Sequence, residues 1–142
     1  MNTTGTAMVV DHDPERVAAL AEIVREMGIN PQVYTDATAA REYLHQKPDL
    51  DVILCEMDME GLAWDSSRKS LMELDHQIPI ILLSDEACAE RRMKALRWGA
   101  SDFFAHPIED VEALRRSLER CRRQRQVRRE LEQSRQRLEA AN

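Results

Sequence analysis

The sequence predicts an α/β protein: a doubly wound, five-stranded parallel sheet with an extended C-terminal helix. Five short apolar segments alternate with segments whose apolar residues recur at helical spacing. Two of the apolar segments, 52–55 and 79–83, are apolar throughout, which is typical of strands that helices cover on both faces. After Asp110 no helix-breaking residue follows for more than 30 residues, which predicts a long final helix.

The strands are predicted from these short apolar runs and from the polar or turn-forming residues that bound them. The predicted strands cover residues 7–10, 32–34, 52–55, 79–83 and 102–104. Right-handed crossovers bring the carboxyl ends of parallel strands to one edge of the sheet. In open α/β sheets ligands bind at this edge, so the residues that follow each strand are the candidates for a functional site.

The helices are predicted from their first and last residues. Asp13 and Pro14 begin the first helix, which ends at Gly28, and Asp36 caps a second helix that Pro48 terminates. The later helices are predicted over residues 64–74, from Ser84 and Asp85 to Trp98, and from Asp110 onward.

Charge divides the chain into an acidic body and a basic tail. Residues 1–109 carry a net charge of −10, whereas residues 110–142 carry +4. Three scattered cysteines, Cys55, Cys88 and Cys121, indicate reduced thiols and not a disulfide framework or a metal site. The chain shows neither a secretory signal nor an apolar run long enough to span a membrane, so we expect a soluble cytoplasmic protein.

Polar residues cluster where the predicted strands end. They are Asp11, His12, Asp13, Glu56, Ser84 and His106. Together with the segments VVDHDP (9–14), CEMDMEG (55–61), LLSDEA (82–87) and GASDFFAHPI (99–108), this pattern resembles the receiver domain of two-component response regulators, the CheY-like fold. The resemblance covers residue 6 to about residue 122 and implies the flavodoxin-like strand order 2-1-3-4-5. It implies a signalling module and not an enzyme.

The resemblance implies an aspartate that accepts a phosphoryl group at the end of the third strand, where this chain has Glu56. Two acidic residues after the first strand would hold Mg²⁺. Asp11 matches the first of them, His12 stands at the second, and Asp13 lies one residue too late to replace it.

Three further positions complete the pattern that the resemblance implies. Ser84 matches the hydroxyl that bonds the phosphoryl oxygen, and Phe103 matches the aromatic residue that changes orientation on activation. His106 stands where the family has a lysine. Pro107 is kept, and in the family the peptide bond before it is often cis.

These replacements predict a receiver that works independently of phosphorylation, a pseudo-receiver. Glu56 is one methylene longer than aspartate, and misplacing a reacting group by about 1 Å can cost about 10²-fold in rate. Imidazole at position 12 is a poor ligand for Mg²⁺, so we expect weak or absent Mg²⁺ and no other cofactor. His106 supplies a positive charge only part of the time. In this interpretation Glu56 imitates the charged site, paired with His106, and the domain docks partners.

Two other interpretations remain open. Asp11, His12, Glu56 and His106 could form a divalent-metal or pH sensor, because imidazoles with carboxylates suit Zn²⁺; the metal ligands would be Asp11, His12 and Glu56. The site could also retain residual phosphorylation.

The sequence of the final helix predicts that its second half is a linker. We assign residues 1–122 to the receiver domain and residues 123–142 to a helical coiled coil that leads toward an output domain. Val127, Leu131 and Leu138 have coiled-coil spacing, which predicts a parallel homodimer. The arginine-rich stretch 115–129 is interpreted as a solvated helix face, because it lacks interleaved aromatic residues and the acidic body argues against nucleic acid as a partner. The resemblance implies a histidine kinase or another signalling protein as a partner, and no membrane association is expected.

Overall fold

A computed structural model describes residues 5–59, 78–86 and 88–141 of the chain. The elements, in chain order, are β1 (Thr6–Val10), α1 (Pro14–Glu26), β2 (Asn30–Tyr34), α2 (Ala37–His45), β3 (Val52–Glu56), β4 (Ile80–Ser84), α3 (Ala89–Arg97), β5 (Asp102–Ala105) and α4 (Val111–Ala141). The predicted helix over 64–74 falls outside the described residues.

The five strands form one parallel sheet in the order β2-β1-β3-β4-β5. The predicted doubly wound sheet, its strand order and its long final helix are therefore confirmed. β3 and β4 are buried along their whole length, as their continuous apolar sequence predicts.

Alternate residues of the strands face two apolar clusters, one on each side of the sheet. On one side α2 contributes Ala40 and Leu44 to a cluster that also contains Phe103 of β5. On the other side α1 and the first turns of α4 cover the sheet with Val17, Leu20, Val24, Leu114, Leu118 and Cys121. Burial on both faces fixes the register of the central strands, and with it the place where each strand ends.

Capping residues set the helix starts as predicted in three cases. Asp13 accepts a hydrogen bond from the backbone N–H of Glu15 at 2.9 Å and Asp36 accepts one from Thr38 at 3.0 Å. Asp110 accepts one from Ala113 at 3.0 Å. Gly28 and Gly99, which follow α1 and α3, adopt positive φ angles of 79° and 98°.

The predicted start of the helix after β4 is wrong. Ser84 is the last residue of β4, and α3 begins at Ala89, with Cys88 at the N-cap position. The Ser84 hydroxyl accepts a hydrogen bond from the backbone N–H of Glu86 at 3.1 Å, which closes a local turn in place of a helix cap.

α4 is continuous over 31 residues and passes the predicted domain boundary at residue 122 without a break. Its contacts with the body continue past the buried Arg125 to Arg129, so the arginine-rich stretch is not wholly the solvated face that was predicted. The boundary itself stays a prediction. Within the described residues, no helix combines the length and apolar character needed to cross a membrane.

Candidate functional site

The carboxyl edge of the sheet brings the candidate residues together. Asp11 directly follows β1, where its backbone N–H bonds the carbonyl of Tyr34 at 3.2 Å, and its side chain is fully buried. Glu56 is the last residue of β3 and pairs with Leu83 of β4. The strand register therefore places the carboxylates of Asp11 and Glu56 on neighbouring strands.

Glu56 is held by His12. The Nδ1 atom of His12 lies 2.6 Å and 2.7 Å from the two carboxylate oxygens of Glu56, and the backbone N–H of His12 donates to Glu56 Oε2 at 3.0 Å. The Glu56 side chain is buried, whereas that of His12 is 62% exposed. The hydrogen bond to Glu56, followed by the charge of Glu56, raises the pKa of His12 above its ordinary value of 6.5.

The predicted pairing of Glu56 with His106 is therefore wrong. The His106 ring lies against Asp11 instead, with Nε2 3.3 Å from Asp11 Oδ2. The backbone explains this placement, because the His106 N–H bonds the carbonyl of Ser84 at 2.8 Å and keeps His106 beside β4. The bond between His106 and Pro107 is cis, in agreement with the resemblance.

Asp11 is a buried carboxylate surrounded by hydrogen-bond donors. Burial alone would raise its pKa, but His106, the backbone N–H of Asp13 at 2.9 Å and Arg16 outweigh that effect and hold the pKa below its ordinary value of 3.8. Asp11 Oδ2 and His106 Nε2 face each other without an aligned hydrogen bond, so each is a buried polar atom that lacks a hydrogen-bond partner within the described residues.

Asp13 does not occupy the place of the second acidic residue. Its side chain caps α1 and lies 3.6 Å from Nε of Arg16. Arg16 then reaches Asp85, after β4, at 2.6 Å. Arg16, which lies five residues from Asp11, was not predicted as a site residue, because a basic residue in the first turn of a helix carries no signal that distinguishes this contact from a surface charge.

A second arginine that was not predicted from the sequence, Arg91, binds the hydroxyl of Ser84. The Nε atom of Arg91 donates to Ser84 Oγ at 2.9 Å, and its NH2 group bonds the carboxylate of Asp58. Arg91 therefore links the end of β4 to the loop after β3. Because Arg91 lies in the first turn of α3, its position depends on where that helix begins, which the sequence did not predict.

Phe103 lies inside the sheet's apolar cluster and not at the surface. Its side chain is buried, and the guanidinium of Arg92 lies 5.4 Å from the centre of its ring, within the range of a cation–π contact. Pro107 is exposed next to His106.

Three of the clustered residues offer ligand atoms to a metal ion. One donor atom each from Asp11, His12 and Glu56 lies within 4.8 Å of the others. A donor set of two carboxylates and one imidazole suits Zn²⁺ and similar ions.

Comparison with known proteins decides the family. A sequence profile described as the response regulator receiver domain matches residues 7–119. The chain belongs to this family. The prediction of a receiver domain of two-component signal transduction is thereby confirmed, and domains of this family are in general signalling modules and not enzymes.

Curated relatives of this receiver domain are response regulators. Response regulator protein TmoT of Ectopseudomonas mendocina is 30% identical over 108 residues, which make up 75% of this chain and 48% of that protein. Transcriptional regulatory protein ZraR of Escherichia coli K12 is 26% identical over 114 residues, 80% of this chain and 25% of that protein. The chain thus spans about half of the first of these relatives and a quarter of the second.

Solved structures share the fold. The response regulator StyR superimposes with a TM-score of 0.80 at 21% identity, covering 95% of this chain and 67% of that one. A response regulator receiver domain protein from Clostridium thermocellum gives a TM-score of 0.75 at 14% identity, covering 87% and 98%.

Proposed function

We propose that this receiver domain signals without accepting a phosphoryl group and acts as a docking and dimerisation module that controls an output domain C-terminal to the chain. One observation carries the proposal. The carboxylate at the accepting position, Glu56, is held by the ring and the backbone N–H of His12 at 2.6–3.0 Å. Both carboxylate oxygens of Glu56 therefore contact hydrogen-bonding groups of the protein itself.

The donors of the site do not fit Mg²⁺. This ion requires near-octahedral oxygen ligands at about 2.0–2.1 Å and rarely accepts imidazole. His12 stands at the second acidic position, and its Nδ1 atom is directed at Glu56. We therefore propose that no phosphoryl group is transferred to Glu56.

Cations of the protein neutralise the site in place of a metal ion. His12 faces Glu56, Arg16 approaches Asp11 at 3.9 Å, and Arg91 bonds Ser84. The two arginines, Arg16 and Arg91, remain charged at any physiological pH. This arrangement supports a site whose carboxylates are paired by side chains of the protein itself and not through a signal from a kinase.

Thermal unfolding with Mg²⁺ and beryllofluoride tests the proposal. A ligand that binds only the folded state adds about 2.7 kcal/mol at a hundredfold excess over Kd, which corresponds to several degrees in Tm. We expect no change in the wild type and a clear rise in the triple variant His12→Asp, Glu56→Asp, His106→Lys. A control triple with His45→Lys in place of His106→Lys has the same net charge and should respond less. A response of the wild type would overturn the proposal in favour of residual phosphorylation.

A divalent-metal sensor is the second candidate function. It is favoured by the buried Asp11 Oδ2 and His106 Nε2 atoms, which lack hydrogen-bond partners, beside the three donors of Asp11, His12 and Glu56. The same unfolding experiment with Zn²⁺ separates the two functions. A rise in Tm that His12→Asn abolishes and that His45→Gln leaves intact would replace the first proposal with this one.

The dimer is proposed from the exposed stripe of α4. Val127, Leu131 and Leu138 are 53%, 65% and 69% exposed, and their spacing fits a coiled-coil seam with a second copy of the chain. We expect light scattering to give a dimer for the wild type and a monomer for Leu131→Glu with Leu138→Glu. The control Gln133→Glu with Gln136→Glu adds the same charge and should remain dimeric. A wild-type monomer at all accessible concentrations would reject the dimer without affecting the proposal for Glu56.

We also propose a cytoplasmic location and, as docking partner, a histidine kinase or another signalling protein.

The roles of three site positions are proposed from the family pattern. Ser84 would be the hydroxyl that bonds a phosphoryl oxygen, Phe103 the switch aromatic, and His106 with Pro107 the equivalent of the lysine and proline.

A further inference from the structure

Three arginines of α4 lie against the segment that leads into β3, at the edge of the sheet opposite the candidate site. They are Arg122, Arg125 and Arg129, and they contact the segment Asp49–Asp51. We propose that these residues form a clamp that fixes the direction and the rotation with which the linker helix leaves the receiver body. The clamp is independent of whether the site accepts phosphate.

Arg125 is the centre of the clamp. It is 6% exposed, its Nε atom donates to the backbone carbonyl of Leu50 at 3.0 Å, and its NH2 group lies 3.3 Å from Asp49 Oδ1. A guanidinium is buried at a high desolvation cost unless it is paired and hydrogen-bonded. The contact with a main-chain carbonyl ties α4 to the backbone of the body and not only to a mobile side chain.

Arg129 repeats these contacts one turn later. It donates to Asp49 Oδ1 at 2.8 Å and to the Leu50 carbonyl at 3.3 Å, and its NH1 group lies 2.8 Å from Asp51 Oδ1. Arg122, one turn before Arg125, approaches Asp51 Oδ2 at 3.6 Å. The planar guanidinium with five donors suits such multiple contacts, which a lysine cannot reproduce.

The space around Asp51 is adapted to the clamp. Asp51 is buried and its backbone N–H bonds the carbonyl of Thr6 at 2.8 Å, next to the start of β1. Gly5 has a φ angle of 94°, and a Cβ atom there would lie 2.0 Å from Asp51 Oδ2. A side chain at position 5 would therefore displace the carboxylate that Arg122 and Arg129 contact.

The clamp continues the buried face of α4 with arginines in place of apolar residues. Leu114, Leu118 and Cys121 pack on the sheet, and Arg125 and Arg129 follow on the same face at steps of four residues. At about 100° per residue, Val127 lies about 200° from Arg125, and Leu131 lies about 200° from Arg129. The clamp therefore turns the exposed apolar stripe away from the body.

Hydrogen–deuterium exchange on the 142-residue chain tests the clamp. We expect Arg125→Met with Arg129→Met to lower the protection of amides 123–131 by at least about tenfold, because the contacts of both guanidinium groups with Asp49, Leu50 and Asp51 are then lost. Amides 111–121 should keep their protection, since their side chains pack in the core. The control Arg116→Met with Arg123→Met removes the same two charges from α4 and should leave both regions unchanged.

A milder variant guards against a general loss of folding. Asp49 is 76% exposed, so Asp49→Ala does not disturb the core, and it removes the carboxylate that Arg125 and Arg129 share. We expect an intermediate loss of protection in amides 123–131. Equal exchange in the wild type, in Asp49→Ala and in the double methionine variant would overturn the proposal, because α4 would then keep its direction without these contacts.

Discussion

The two edges of the sheet neutralise buried carboxylates by different means. At the carboxyl edge Glu56 faces His12, whose charge depends on pH, and Asp11 lies 3.3 Å from the His106 ring. At the amino edge Asp51 and its neighbour Asp49 face guanidinium groups, which stay charged throughout the physiological range. The difference indicates that one edge can respond to its surroundings, whereas the other is built to stay constant.

β3 connects the two edges directly. Its first residue follows Asp51, and its last residue is Glu56. The strand is buried throughout and pairs on both sides, so its ends are held at a fixed separation. Comparing variants at the two ends of the same strand therefore separates a permanent contact from a titratable one.

The largest expected effect is at the amino edge. Arg125→Met should lower the free energy of unfolding by about 2 kcal/mol, because it removes a buried, charged donor from the Leu50 carbonyl and leaves that carbonyl with the longer contact from Arg129 at 3.3 Å. Urea unfolding at pH 7 measures the change. Arg123→Met, at an exposed position of the same helix, should stay within about 0.5 kcal/mol of the wild type. Equal effects of the two substitutions would show that burial of Arg125 does not stabilise the fold.

A smaller effect is expected at Asp11. Because its folded pKa lies below 3.8, it contributes stability that is present above that value and is lost as the pH falls through the folded pKa. Asp11→Asn should lower the free energy of unfolding by about 1 kcal/mol at pH 7. The free energy of unfolding of this variant should also decrease less steeply than that of the wild type as the pH falls. Unfolding curves from pH 6 down to the acid limit measure both, and an unchanged acid limb would contradict the prediction.

The smallest expected effect is at His12. Its folded pKa is raised, so its contribution is fully present below the unfolded value of 6.5 and is lost as the pH rises through the folded pKa. Because the side chain is 62% exposed, solvent screening limits this contribution to less than about 0.5 kcal/mol. His12→Gln should remove the pH dependence in the neutral range. Calorimetry at several pH values, with His45→Gln as the control, measures this pH dependence. If the free energy of unfolding of His12→Gln still changes with pH in the neutral range, another group is responsible.

Local sequence signals predicted most of the fold. The continuous apolar runs of β3 and β4 reflect burial on both faces, and Asp13, Asp36 and Asp110 cap helices through contacts within their own turns. Such signals depend only on neighbours in the chain. The start of α3 was not predictable in the same way. The Ser84 hydroxyl accepts hydrogen bonds from the Glu86 N–H of a local turn and from Arg91, and it does not cap a helix.

The members of the candidate site were predicted, but their pairing was not. Strand ends bring Asp11, His12, Glu56 and His106 together in any parallel sheet with this order. Which histidine meets which carboxylate depends on distances of an ångström and on the His106 N–H bond to Ser84. The clamp was not predicted for a related reason, because a buried arginine and a solvated one are identical in sequence. Arg125 is distinguished by its tertiary contacts, such as the hydrogen bond to the Leu50 carbonyl.

The length of α4 makes it a lever with its pivot at Arg129. Beyond that residue the helix continues for twelve residues to Ala141, or about 18 Å at 1.5 Å per residue. A tilt of about 10° at the pivot would displace the far end by about 3 Å at that helical rise, roughly twice the advance of one residue along the helix. Whatever follows Ala141 would therefore experience a small rotation at the receiver body as a displacement on the scale of a side chain.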